Sequence, residues 1–257
     1  MNIFKQLFKS IYSPKDIALF RFQGIGKTIL FVFLLTFISV LPSIVYFSTA
    51  LTTGLDSAKT FLEEEAPDFT IKNGQLEADT KVPVTIKKDD FTIILDPTGA
   101  VSSQDAADQG NSFALLKDEF VITAGGQSDT YPYSMMEGLK LSKKDLVDFV
   151  NSISGLKGII IPIVSLFIYL FSSAASFIEV SVLALIGLVL KNLAGRKLTY
   201  RHLWRMAAYS ETLPTLFFTI MAALKTAVPN SFWINWFVVI IVLYLAINEI
   251  PKPKKSS

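Results

Sequence analysis

The chain has 257 residues, 51% of them apolar and 18% charged, with no cysteine and a formal net charge of +2. Disulfides, thiolate metal sites and thiol catalysis are thereby excluded. The near-neutral total hides an asymmetry: residues 51–155 hold eighteen Asp and Glu against nine Lys, roughly −9, while the remainder is roughly +11 and carries the long apolar runs.

In chain order, residues 1–27 form a basic leader. Ile3, Phe4, Leu7, Phe8, Ile11 and Tyr12 share one face of a predicted helix, with Lys5 and Lys9 off it. Such a helix suits either the inner membrane interface or a site on the protein's own cytoplasmic loop. Residues 28–50 carry no charge and are long enough to cross a hydrocarbon core of about 30 Å. They read as a first transmembrane helix rather than a cleaved signal peptide, because some two dozen residues with their own apolar pattern precede them.

Residues 51–157 read as an inserted domain on two stalks. Leu51, Leu55, Ala58 and Leu62 keep helical spacing up to Pro67. At the far end, Ser142 caps a helix whose Leu146, Phe149, Val150 and Ile153 share a face. Two such stalks side by side would bury both stripes. Between them, 69–72 and 75–78 flank Asn73-Gly74, the residue pair that a two-residue type I′ hairpin turn favours. Residues 84–87, 91–95, 113–116 and 120–123 are further strands, giving five to seven in all, with 102–112 as an exposed loop.

Three more apolar runs follow: 158–190 with the single charge Glu179, 207–228, and 232–250. Basic residues group as five in the leader, five in the loop 191–206 and three in the tail 251–257. With four spans all three groups fall on the cytoplasmic side and the acidic segment lies outside. A hairpin within 158–190 would break that rule, so one long tilted helix of about 48 Å is preferred. The expected fold is therefore an α-helical integral membrane protein with four transmembrane helices and a β-rich extracytoplasmic domain between the first two. The expected place is the bacterial cell membrane, with both termini cytoplasmic.

Chemistry-bearing motifs are sparse. Gly24-Ile-Gly26-Lys27-Thr28 lacks the first glycine of a phosphate loop, since Arg21 stands there, and it leads into a span instead of following a strand. Asp105, Asp108 and Gly110 lack the alternating oxygen ligands of a calcium loop. The lone His202, among Arg201, Trp204 and Arg205, suits an inner interface, and the exterior domain would face the opposite compartment, which leaves no Ser/His/Asp triad. Neither a catalytic residue nor a cofactor or metal is expected, and the protein reads as a non-enzyme. Glu179 is the exception worth weighing, because an ionisable group within a span is costly unless paired, hydrated or neutral. Its small neighbours Ser172, Ser173, Ala174, Ala175 and Ser176 permit close helix approach. A structural interhelical hydrogen bond is the plain reading, and proton or ion handling the sharper one.

Residues 195–214 carry a basic Gly-x-Lys turn with Arg196 and Lys197, an amphipathic stretch with Arg201 and Arg205, then Tyr209-Ser210 and Pro214 opening a span. This arrangement resembles the Yip-type membrane domain. The whole layout is similar to a Gram-positive bacterial membrane-protein family of unknown function, some of whose members are labelled maltodextrin-utilisation proteins. The resemblance implies a multispanning, non-enzymatic membrane protein, a scaffold or trafficking factor in Yip-type relatives. The chain departs from that pattern in having four spans and a large insertion. The expected function is a plasma-membrane scaffold or accessory protein whose exterior domain binds a partner or senses envelope conditions, with a possible link to sugar uptake implied by the resemblance. The other class is a small transporter or channel component using Glu179. The expected partners are the lipid bilayer and another membrane or envelope protein, not nucleic acid; oligomeric state is left open.

Overall fold

Helices α1 (Ile3–Tyr12), α2 (Pro14–Phe20) and α3 (Ile25–Thr60) open the chain, and α5 (Lys143–Leu193), α6 (Tyr200–Ser210), α7 (Thr212–Ala223) and α8 (Ser231–Asn248) close it. Between α3 and α5 in sequence the described residues form eight strands and three short helical segments. The structure, a computed structural model, describes residues 1–88, 91–136, 138 and 140–252. Asp89, Asp90 and Glu137 of the acidic segment, and residues 253–257 of the basic tail, lie outside the described residues. The chain divides into a helix unit, Met1–Tyr46 with Pro162–Ser257, and a β unit, Phe47–Ile161.

Three segments are long and apolar enough to cross a membrane: Ile25–Glu65, Lys143–Leu193 and Ser231–Asn248. At 1.5 Å per residue α3 is about 54 Å long, α5 about 77 Å and α8 about 27 Å. The first two therefore exceed the apolar runs that predict them, because the stalk residues continue the same helices. The run 207–228 differs from expectation. It is split between the end of α6 and α7, and α7, about 18 Å long, is too short to span by itself. Pro214 supplies the reason: it has no N–H to offer the carbonyl of Ser210, and its ring crowds that carbonyl, so the helix breaks one turn earlier, at Glu211. Thr212 Oγ1 donates to the Tyr209 carbonyl at 2.8 Å and so occupies an acceptor next to the break.

In the helix unit, Asn2 caps α1 by accepting from the Lys5 N–H, and Ser13 caps α2 with Pro14 in its first turn. The core is built from Ile17 and Phe20 of α2, Phe31 of α3, Leu183 of α5, Met206 of α6 and Leu243 of α8, among others. Helix α1 sits on this core through its polar side. Gln6 and Ser10 are its buried residues, Ile3 and Leu7 pack partly, and Phe4, Phe8 and Tyr12 point outward.

In the β unit, β1 (Phe69–Lys72), β2 (Gln75–Ala78) and β8 (Leu141–Ser142) make a three-stranded sheet in the order β2-β1-β8. Strands β3 (Val84–Lys88), β4 (Phe91–Leu95), β5 (Asn111–Leu115), β6 (Glu119–Ala124) and β7 (Gln127–Pro132) make a second sheet in chain order. The Asn73-Gly74 turn has φ of +52° and +76°, the left-handed pair that a type I′ hairpin requires. Strand β7 is absent from the sequence reading because Gln127, Ser128, Asp129 and Thr130 show no apolar alternation; pairing to β6 across Gly125-Gly126 makes it a strand. Strands β4 and β5 are parallel, which demands a crossover. The predicted exposed loop at 102–112 is that crossover instead: α4 (Ser103–Ala107), held by a Ser102/Asp105 capping box, buries Ala106 completely.

Alternation along the strands gives the larger sheet two covered faces. Ile93, Leu95, Leu115 and Tyr133 join Phe61 and Leu62 of the first stalk and the three-stranded sheet in one core. Ile94, Ala114 and Val121 on the opposite face meet Ala106. The second stalk enters the first core through Leu146, Val147 and Val150. Phe149 is a correction to the predicted stripe. It is 62% exposed, and Val147 packs in its place.

Candidate functional site

The residues of the 195–214 motif separate by what they touch. Arg196 Nη2 donates to the Asn248 carbonyl at 2.9 Å and so satisfies the last turn of α8. Arg205 is nearly buried and donates through Nη1 to the Arg21 carbonyl at 2.8 Å, tying α6 to the end of α2. Lys197 and Arg201 are exposed. Tyr209 is fully buried, with its ring centroid 4.5 Å from Phe20 and 4.2 Å from Phe31, and its hydroxyl donates to Gln6 Oε1 at 3.2 Å. Pro214 is buried in the first turn of α7. Four of these six residues thus work inside the unit, joining α1, α2, α3, α6 and α8.

His202 stands between these groups. Its ring meets Phe22 edge-on at 6.0 Å. Burial, and then the charges of Arg205, Arg21 and Arg201, hold its pKa below the ordinary value, so it is neutral at neutral pH.

Glu179 lies on α5, half-buried, and Oε1 accepts a 2.7 Å hydrogen bond from Asn235 Nδ2 of α8. One turn away on α5, Ser176 Oγ accepts from Thr36 Oγ1 of α3 at 3.0 Å, so the small-residue stretch 172–176 does meet another helix. A turn further on, Ser181 Oγ accepts from Trp204 Nε1 at 3.2 Å and donates to the Phe177 carbonyl. Beyond it, α5 reaches Gly187, where an added Cβ would come within 3.2 Å of Leu203 and 3.4 Å of Leu243. Helices α3, α6 and α8 therefore all meet α5 along this stretch.

The sequence reading passes over Glu211. It is 5% exposed at the break between α6 and α7, and its Oε1 has no hydrogen-bond partner among the described residues. Glu211 carries the same signal as Glu179, an acid inside an apolar run, but its neighbours Ser210, Thr212 and Pro214 make the stretch read as the opening of a span. Gln6 is equally hidden in sequence, because it looks like the polar side of an amphipathic leader.

Among the described residues no group of three or more His, Cys, Asp or Glu is placed to hold a metal ion. What the helix unit offers is the Glu179–Asn235 pair joining α5 to α8 and, at the α6–α7 break, the buried carboxyl of Glu211. A family model described as "Protein of unknown function (DUF1189)" matches residues 4–247, nearly all of the chain. The chain belongs to this family. The match covers both units, so the β insertion is part of the family's layout as much as the helices are. No curated protein matches the chain. No solved structure matches it.

Proposed function

We propose that this DUF1189 member is a non-enzymatic, multi-pass plasma-membrane scaffold or accessory protein whose β unit is extracytoplasmic and binds a partner or senses envelope conditions. One observation carries the reading: a β unit with its own cores follows one long apolar helix and precedes another, and it bears most of the chain's acidic residues. Basic groups flank the helices on the complementary side, which supports four spans, with the end of α6 from Ala207 and α7 together as the third, the loop 191–206 cytoplasmic and both termini cytoplasmic. The Yip-type resemblance of residues 195–214 agrees with a scaffold, since Arg196, Arg205 and Tyr209 hold helices together. A link to sugar uptake rests on the maltodextrin label of similar proteins alone.

Single cysteines test the topology. Asp129→Cys in β7 should react with a membrane-impermeant thiol reagent on intact bacteria, and Lys252→Cys should react only after permeabilisation. The reverse pattern overturns the reading. Photo-crosslinkers at exposed Tyr131 or Val82 should then trap a discrete membrane or envelope protein, and the absence of any trapped partner from both positions overturns the partner-binding reading.

A second reading, a small transporter or channel component using Glu179, is favoured by one observation, a second carboxyl, Glu211, buried with Oε1 unpartnered among the described residues. It predicts that Glu179→Gln abolishes function in a normally inserted protein.

A further inference from the structure

Building on the reading that the β unit binds a partner, we propose that the outer edge of β7 receives one extended strand of another protein, paired antiparallel, with a Lys or Arg opposite Asp129. The two-residue turn Gly125-Gly126 has φ of +59° and +82°, so the flanking pair Ala124 and Gln127 exchanges both backbone hydrogen bonds. The pairs Ile122 with Asp129 and Phe120 with Tyr131 follow in the same phase, which turns the N–H and C=O groups of Ser128 and Thr130 away from β6. None of these four groups has a backbone partner among the described residues, and residues 127–131 are all exposed. Pro132, at the next outward position, has no N–H and ends the pairing edge. The hairpin is held in place from inside: the Gly125 N–H donates to Asn111 Oδ1 at 3.1 Å, and the Tyr133 N–H to the Asp118 carbonyl at 2.9 Å.

The other three sheet edges are guarded. On β2 the Leu76 N–H donates to the Lys117 carbonyl at 2.8 Å, β8 has two residues, and β3 follows Pro83 and carries exposed Lys87. Covered, short, lysine-bearing or proline-flanked edges resist the addition of foreign strands. Strand β7 is six residues long, with neither a lysine nor an internal proline. Its register also selects the occupant. Two β7 strands satisfy all the outward groups of both when Ser128 of each faces Thr130 of the other, and that sets the two Asp129 residues opposite each other, with Cα atoms about 4.5 Å apart. Like charges so placed repel, which disfavours a second copy, whereas a Lys or Arg there makes an opposite-charge pair. The segment 51–155, at roughly −9, draws a basic strand in the same sense. On the Asp129 face, Tyr131 is 42% exposed and stacks on Phe120 at 4.9 Å. An apolar partner residue two positions before the basic one would cover that ring, so the recognised pattern is an extended apolar-x-Lys or apolar-x-Arg.

Full-length protein in uncharged detergent and two dye-labelled peptides test this, Ser-Thr-Val-Thr-Lys-Thr-Ser and its counterpart with Glu in place of Lys. By fluorescence anisotropy the Lys peptide should bind about tenfold more tightly than the Glu peptide. Thr130→Pro should weaken the Lys peptide by about tenfold and leave thermal unfolding as in wild type, because it removes an outward N–H and no bond to β6. Asp129→Lys should reverse the preference between the peptides, and it decides the matter if the Pro variant unfolds early. Equal binding of both peptides to wild type, unchanged binding by a stable Thr130→Pro, or no binding at millimolar peptide overturns the proposal. Dimerisation without peptide binding, lost in Thr130→Pro, assigns the edge to a second copy and overturns it as well. Photo-crosslinks from Val82 with none from Tyr131 sink the β7 edge and leave the partner-binding reading standing.

Discussion

Asn235 of α8 and Glu179 of α5, fifty-six residues apart in sequence, are joined by a 2.7 Å hydrogen bond from Nδ2 to Oε1. The bond couples two of the segments long enough to cross a membrane, and it decides what each substitution at Glu179 removes. Glu179→Gln keeps an acceptor for the Asn235 amide. Glu179→Leu leaves that amide unpaired in an apolar interior, at a cost of about 1–3 kcal/mol. In detergent the Leu variant should unfold at lower temperature than the Gln variant. Equal loss in both would show that the hydrogen bond contributes nothing to stability.

Gly187 marks the tightest helix crossing. A methyl group there meets the ends of Leu203 and Leu243, which are flexible enough to give by a few tenths of an ångström. Gly187→Ala should therefore be tolerated, whereas Gly187→Leu should overpack the crossing by about 1–3 kcal/mol or more. Thermal unfolding monitored by size exclusion compares the two. A Leu variant as stable as wild type would mean that the helices separate freely at this point.

Leu62, 5% exposed, places the first stalk in the same core as Val147 and Val150 of the second. Leu62→Ala should destabilise the β unit by about 2–5 kcal/mol, through lost burial and the cavity left behind. Leu62→Asp should do so more severely, since a carboxylate would lie unpaired among apolar groups. Limited proteolysis of membranes should cut within 66–142 faster in both, while the protein stays membrane-bound. Unchanged protease resistance would show that the stalks do not support the β unit.

Asp96, fully buried, governs the acid stability of the β unit. Burial alone would raise its pKa, but hydrogen bonds from the Thr98 hydroxyl at 2.6 Å, the Val101 N–H at 2.6 Å and the Thr98 N–H at 2.9 Å outweigh it and hold the carboxyl below the ordinary value. A depressed folded-state pKa gives stability that is complete above the unfolded value, about 3.9, and is lost as pH falls through the lower folded value. Asp96→Asn should lower stability at neutral pH by about 1–3 kcal/mol and flatten the loss below about pH 4. Proteolysis of the β unit by pepsin across that range measures both effects. An Asn variant with the wild-type acid slope would assign that slope to other carboxyls.

Local chain chemistry by itself determined the long helices and the first hairpin. Apolar runs of membrane length become α3, α5 and α8, and Asn73-Gly74 makes its hairpin, because periodicity and turn preference depend on backbone geometry within a few residues. Only the tertiary structure decided which face of each element is covered. The apolar stripe of α1 suits either the inner membrane interface or a site on the protein's own cytoplasmic loop, and the fold buries Gln6 and Ser10 while the rings of Phe4 and Phe8 face out. Where the surroundings are hydrocarbon, apolar side chains gain little by leaving them, and polar groups gain most by finding each other. Phe149 yields its place to Val147 for a similar reason, since the rotation of a stalk is set by the sheets it meets. Glu211 shows the limit most clearly. Pro214 announces a break in the helix, but the burial of the Glu211 carboxyl one turn earlier depends on how other elements pack over the break, and no spacing along the chain encodes that.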